Sequence, residues 1–264
     1  MDFALNDVQQ ELKDQARGWL GERYPLDRDW EAQDDRWDEL SELGWLDVAD
    51  AGLGFVEEAL LLEELGYALY PGPYLAHVAG QNGAIELSGF AYGGGGDVAT
   101  VDPSRPLRRT GNGGSQETPR LRAAMAAEAL GVAQRALELG IDHARTREQF
   151  GKPIGVYQAV SHQLANTYAD VELTRSLVYW AAWCVAEEDE QAPVAAAAAK
   201  AFAAEAAVAA CERSIQVHGG TGFTWEHPLH RFYKRALWLE GFGARPAELR
   251  RVVADAVLGV TVPA

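Results

Sequence analysis

Apolar side chains at Phe3, Leu5, Val8, Leu12 and Ala16, continued by Trp19 and Leu20, recur at helical spacing and predict an amphipathic helix over residues 6–22. Pro25 ends it. The pattern resumes over residues 30–43 through Trp37, Leu40 and Leu43, with Gly44 placed as a C-cap. Residues 55–69 form a third stripe, stopped by Pro71 and Pro73. Between Ser88 and Thr118 the periodicity disappears. Gly93 to Gly96 are an unbroken run, and the segment reads as a flexible connector in which at most 90–92 and 98–101 could pair as short strands. From Pro119 onward helical spacing returns over 121–147, 156–187, 192–217, 228–239 and 247–258.

These stripes predict a mainly α fold with an N-terminal helical domain over 1–87, a Gly-rich linker over 88–118 and a C-terminal bundle of four to five helices over 119–264. Alanine dominates the third bundle helix, which favours helix and permits close backbone approach. That helix and the aromatic Phe232, Tyr233 and Trp238 are expected to offer apolar surface to a second bundle, so a monomer is not expected.

Composition narrows the function classes. The chain holds 39 acidic against 23 basic residues, a formal charge of −16, which repels nucleic acid and anionic membrane surfaces. Cys184 and Cys211 fall inside helical patterns without metal-ligand spacing and read as reduced, buried thiols. The acidic, amphipathic start MDFALNDVQQELKDQ does not read as a leader, and no run of about 18 apolar residues is evident. A cytoplasmic protein is expected. His143, His162, His218, His227 and His230 lack the spacing of a metal site and are expected in structural polar roles.

The chain is organised around residues 211–240, where a helix meets Gly219, Gly220 and Gly222 before a second helix starts near Pro228. Glycines let an anionic ligand approach the main chain, and a following helix N-terminus would favour a phosphate. The same glycines are equally ordinary helix punctuation.

Three segments carry a family likeness. ARTREQFGKPIGVYQAVSHQLAN from Ala144, SIQVHGGTGF from Ser214 and RFYKRALWLEG from Arg231 resemble, in order and spacing, the C-terminal helical domain of the acyl-CoA dehydrogenases. WDELSELGWLDV from Trp37 and LLLEELGYALYPGPYL from Leu60 are similar to that family's N-terminal helices. The four residues Trp225, Glu226, His227 and Pro228 further resemble short, often actinobacterial members that work as heteromeric dehydrogenases on bulky CoA thioesters such as steroid side-chain intermediates. The middle departs from the pattern, because about thirty glycine-rich residues stand where the family carries a β-domain of roughly a hundred.

The resemblance implies that Arg147 pairs with the pyrophosphate of FAD, that Phe150 packs near it, and that Gln216 with the backbone of Gly219 and Gly220 holds the adenosine side. A guanidinium suits phosphate because its planar fork bonds two oxygens at once. With the β-domain missing, the cradle for the isoalloxazine ring is missing too, which implies an FAD site shared with a homologous full-length partner subunit, in a homo- or hetero-oligomer acting on an acyl-CoA. Glu240, nine residues after Arg231 and followed by Gly241, occupies the place of the family's catalytic base. The family's following Thr and Gln are absent, and its alternative base position falls on Leu121, which cannot take a proton. A self-sufficient enzyme of altered chemistry and a non-catalytic helical scaffold stand as alternatives.

Overall fold

The computed structural model describes residues 4–31, 34–48, 51–80, 83–87, 89–93, 96–110 and 117–259. Phe3, Ser88, Gly94 and Gly95, named above, lie outside them. Among the described residues the elements are α1 (Asp7–Arg23), α2 (Trp37–Glu42), α3 (Phe55–Tyr67), α4 (Tyr74–Ala79), β1 (Ile85–Leu87), β2 (Phe90–Tyr92), β3 (Arg108–Arg109), α5 (Pro119–Thr146), β4 (Glu148–Gln149), β5 (Lys152–Pro153), α6 (Gln158–Ala186), α7 (Ala192–His218), α8 (Leu229–Gly241) and α9 (Pro246–Leu258). Single 3-10 turns cover Ile154–Val156 and Gly219–Phe223. The mainly α fold with a reduced middle is as the periodicity predicts.

Helix starts follow local chemistry. The Asn6 side chain accepts from the Gln9 amide at 2.9 Å while Gln9 accepts from the Asn6 amide at 3.1 Å, a reciprocal cap for α1. Thr118 caps α5 by accepting from the Leu121 amide, and Pro119 follows with its fixed φ. The predicted helix over 30–43 is shorter than its stripe. Asp34 and Asp35 accept from the amides of Arg36 and Trp37, and Arg36 is left-handed at φ 47°, so the helix begins only at Trp37. After Pro73 a further short helix, α4, forms that the prolines concealed, because the Pro73 carbonyl accepts from Ala76 and His77.

Small side chains set the core spacing. Alanines 123, 126, 129, 133 and 136 of α5 and 195, 199, 203 and 207 of α7 are buried. Where α3 crosses α5, a Cβ on Gly66 would run into the Glu128 backbone and one on Gly131 into the Glu63 carbonyl, so both glycines are needed for the close approach. The surface expected of α7, Phe232 and Trp238 is corrected here in part. Phe232 and Trp238 are buried inside this chain, whereas Tyr233 is half-buried and α7 keeps Val194, Ala198, Phe202 and Val208 half-buried. The stretch Ala192–Phe223 is also apolar and long enough to cross a membrane by composition, contrary to the sequence expectation, but 67% of that window is buried within the protein, as in a core helix.

The middle segment differs most from expectation. Residues 98–101 do not pair with β2. Instead β1, β2 and β3 form a small antiparallel sheet with Ile85 opposite Tyr92 and Phe90 opposite Arg109, and Val98 bridges Leu107. Its described part is also anchored rather than free. Arg235 of α8, 1% exposed, bonds Asp102 through Nε, Ser104 Oγ at 2.7 Å and Glu128 at 2.5 Å, while Arg105 bonds Glu128 at 2.6 Å and the Tyr92 hydroxyl. Two guanidinium groups and two carboxylates thus neutralise one another in the core, which is what allows charges to be buried there.

Candidate functional site at the outer end of the bundle

Arg147 is the residue at which α5 gives way to a hairpin. Its amide donates to the His143 carbonyl at 2.9 Å and its carbonyl accepts from Ile154 at 2.8 Å, while its side chain is exposed and makes no hydrogen bond or ion pair among the described residues. β4 and β5 pair with Gln149 opposite Lys152, leaving Phe150 and Gly151 as a two-residue turn. Both have positive φ, 54° and 74°, as a type I′ turn requires. A phenylalanine in that conformation is strained by about 1–2 kcal/mol, and its ring is 91% exposed. Within this chain the ring meets the edge of Tyr157, with centroids 6.5 Å apart. The Tyr157 hydroxyl braces the turn from outside by donating to the Gln149 carbonyl at 3.0 Å.

Gln216, Gly219 and Gly220 are exposed at the end of α7. Gly219 has φ 61° and donates its amide to the Gln216 carbonyl. A Cβ at Gly219 or Gly220 would meet nothing within 4 Å, so a ligand could approach both from outside. One expectation needs correcting. These glycines follow the C-terminus of α7, whose dipole is negative, and α8 starts only at Leu229, so a phosphate there depends on the charge of Arg147 rather than on a helix N-terminus.

What joins the two halves is a stack of histidines. His143, one turn before Arg147, stacks on His218 with ring centroids 4.2 Å apart, and His218 lies 4.4 Å from His227. His218 Nδ1 bonds the Ser214 carbonyl at 2.8 Å and His227 Nδ1 accepts from the Leu229 amide at 3.3 Å. The last turns of α5 and α7 therefore sit side by side, bringing Arg147, Phe150, Gln216, Gly219 and Gly220 to one end of the bundle. Burial lowers the pKa of all three rings, helped at His143 by His218 and Arg147, and that of His227 falls to about 4 through burial, His218, His143 and His230. Sequence spacing gave no sign of this stack, because its members come from three elements.

Glu240 is elsewhere. It lies ten residues beyond His230 on α8, about 15 Å along the axis at 1.5 Å per residue. Burial, then Glu205 and Glu212 of α7, raise its pKa, the direction a base for a weakly acidic proton needs. Leu121 is buried and carries no proton acceptor. Close to the same end of α8 the sequence reading missed a buried ion pair. Lys200 bonds Glu117 and donates to the Phe242 carbonyl at 3.0 Å, and Arg122 bonds Glu117 at 3.0 Å. Gly243 at φ 80° makes room for that pair, since a Cβ there would strike Glu117.

The fold is that of the acyl-CoA dehydrogenases. Butyryl-CoA dehydrogenase from Megasphaera elsdenii matches 98% of this chain and 100% of its own with a TM-score of 0.78 at 20% identity. The ChsE4-ChsE5 complex from Mycobacterium tuberculosis provides a chain that matches over 100% of both with a TM-score of 0.74 at 23% identity. The family profile described as acyl-CoA dehydrogenase, C-terminal domain, matches residues 116–258, and the chain belongs to that FAD-dependent family. Acyl-CoA dehydrogenase IpdE2 of Mycobacterium tuberculosis is 40% identical over 149 residues, 53% of this chain and 44% of that protein. Probable acyl-CoA dehydrogenase YngJ of Bacillus subtilis is 39% identical over 134 residues, 50% of this chain and 34% of its own length. The chain thus spans less than half the length of these curated relatives.

Proposed function

We propose that this chain is a subunit of an acyl-CoA dehydrogenase that completes the FAD site of a homologous full-length partner. The observation that carries the reading is the outer end of the bundle, where an Arg147 unpaired among the described residues, an exposed and strained Phe150 and the open backbone of Gly219 and Gly220 stand together. These residues fit a diphosphate. Arg147 would hold its oxygens, the glycines would admit its approach, and Gln216 would bond the adenosine side. The sheet β1–β3, with strands of three, three and two residues, offers no cradle for a flavin ring among the described residues, so the ring belongs with the partner in this reading. Flavin supplies the acceptor for the hydride from the β-carbon of the thioester. This chain's own part is to bind the diphosphate and to offer Glu240 as the base for the α-proton. The division into 1–87, 88–118 and 119–264, and a cytoplasmic setting consistent with the free buried Cys184 and Cys211, belong to the same proposal.

Exposed Phe150, Val156, Tyr168 and Phe223 supply apolar area for the partner at or near this end. The ChsE4-ChsE5 precedent supports a complex of two different chains. Flavin absorbance after gel filtration tests the reading. The chain purified by itself should be colourless and the co-expressed complex yellow, with Arg147→Ala lowering flavin affinity about ten- to a hundredfold, the value of a lost charge-assisted contact. Stoichiometric FAD on the lone chain would overturn the shared site and favour a self-sufficient enzyme. Glu240→Gln in the complex should abolish turnover with flavin retained; unaltered turnover assigns the base to the partner.

A further inference from the structure

On the opposite face of α8 from Glu205 and Glu212, a cavity of about 360 Å3 is lined by Trp30, Leu69, Pro103, Trp225, Arg231 and Lys234, among others. Its charges do not cancel. Arg235 at its floor is already neutralised, together with Arg105, by Asp102 and Glu128. Lys234 has no carboxylate within ion-pair distance among the described residues, and its ammonium lies over the Trp225 ring at 4.5 Å. Arg231 has a buried Nε without a partner, and its one carboxylate, Glu31 at 3.7 Å, is 88% exposed on the side chain.

Arg28 adds to the imbalance from behind the wall. Its guanidinium lies 3.6 Å from the Trp30 ring, which Arg231 approaches at 4.9 Å. Among the described residues it donates to the carbonyls of Tyr24, Pro25, Ala68 and Leu69, and its buried Nε has no partner. Burial, then Arg235 and Arg231, lower its pKa to about 10, as expected for a cation that lacks a counter-charge. Of the cavity's own lining outside the neutralised network, Arg231 and Lys234 face one carboxylate, Glu31, which leaves a charge of +1 there in a chain whose net charge is −16.

We propose that this cavity binds a small phosphate monoester. Such a group carries about −1.5 to −2 at neutral pH, opposite in sign to the unbalanced charge of the lining and of Arg28 behind it. Arg231 and Lys234, one turn apart on α8, both line the cavity from one helix face. A bare phosphate would leave much of the volume empty, and the apolar walls from Trp30, Leu69, Pro103 and Trp225 suit a compact apolar or aromatic body on the ester. The site is separate from the diphosphate surface at Arg147 and stands whether or not this chain shares a flavin.

Titration calorimetry of the full chain with phenyl phosphate tests the proposal. One saturable site is expected, weakened about tenfold by Arg231→Gln and by Lys234→Gln, and unchanged by Arg147→Ala. Lys234 is only half-buried and unpaired, so Lys234→Gln should leave the helical circular dichroism intact even if Arg231→Gln does not. No saturable heat at millimolar ligand, equal affinity in the Lys234→Gln variant, or loss of binding in Arg147→Ala would each overturn the site. Equal binding of phenol would remove the role of charge, and equal binding of inorganic phosphate the role of the apolar wall; either refutes the assignment to a phosphate monoester.

Discussion

Two regions rich in charge and aromatic groups sit at different depths, and only one of them is self-sufficient. Around Arg235 each cation is met by a carboxylate of this chain, and Tyr92, Trp238 and Phe242 pack their rings against one another in the core. Around Arg147 the cation has no ion pair among the described residues, the aromatic ring of Phe150 is mostly in solvent, and the backbone is held in a left-handed turn. The first arrangement explains how the fold holds its reduced middle segment. The second costs the fold strain and leaves a cation and most of an aromatic ring in solvent, which is how a surface kept for a ligand or partner differs from a core kept for stability.

If that contrast is right, mutations at the two regions should separate stability from binding. The largest stability loss should come from Arg235→Ala, which leaves Asp102 and part of Glu128 buried without compensation; roughly 3–5 kcal/mol is expected in a urea unfolding curve. A shift under 1 kcal/mol would mean that water reaches the network and that the middle segment is not anchored by it. Gly131→Ala should cost about 1–3 kcal/mol by forcing α3 and α5 apart, because the added methyl meets the rigid Glu63 carbonyl rather than a side chain.

A smaller loss is expected on acidification. His143, His218 and His227 have folded pKa values below the unfolded value of 6.5, with His227 near 4, so the unfolded chain takes up protons first as pH falls. The stability they permit is complete above pH 6.5 and declines as pH falls toward 4. His227→Asn should flatten the thermal midpoint across that window; an unchanged slope would show the stack to be energetically silent. Smallest of all should be Arg147→Ala, within about 0.5 kcal/mol of wild type, in contrast to its effect on flavin in the complex. A large destabilisation there would erase the distinction between the two regions.

Hydrophobic periodicity made α1, α3 and the five long or terminal bundle helices legible, since an amphipathic stripe and its caps are local properties. The candidate site was legible for a different reason. Arg147, Phe150, Gln216, Gly219 and Gly220 lie in short motifs whose order is itself a signal, and the fold sets them at one end of the bundle. The length of the helix before Gly44 was misread because two aspartate side chains compete for its first amides, a choice that spacing does not record.

By itself the sequence determined the helical class, the missing β-domain and the family motifs, because each is written in neighbouring residues. Only the tertiary structure decided that the middle segment is anchored, that Phe232 and Trp238 face inward, and that histidines from three elements stack behind Arg147. Asp102 and Arg235 are 133 residues apart and become an ion pair only when the bundle has closed around them. A charge in isolation reads as surface. Burial makes it a partner, and burial is a property of the packed whole.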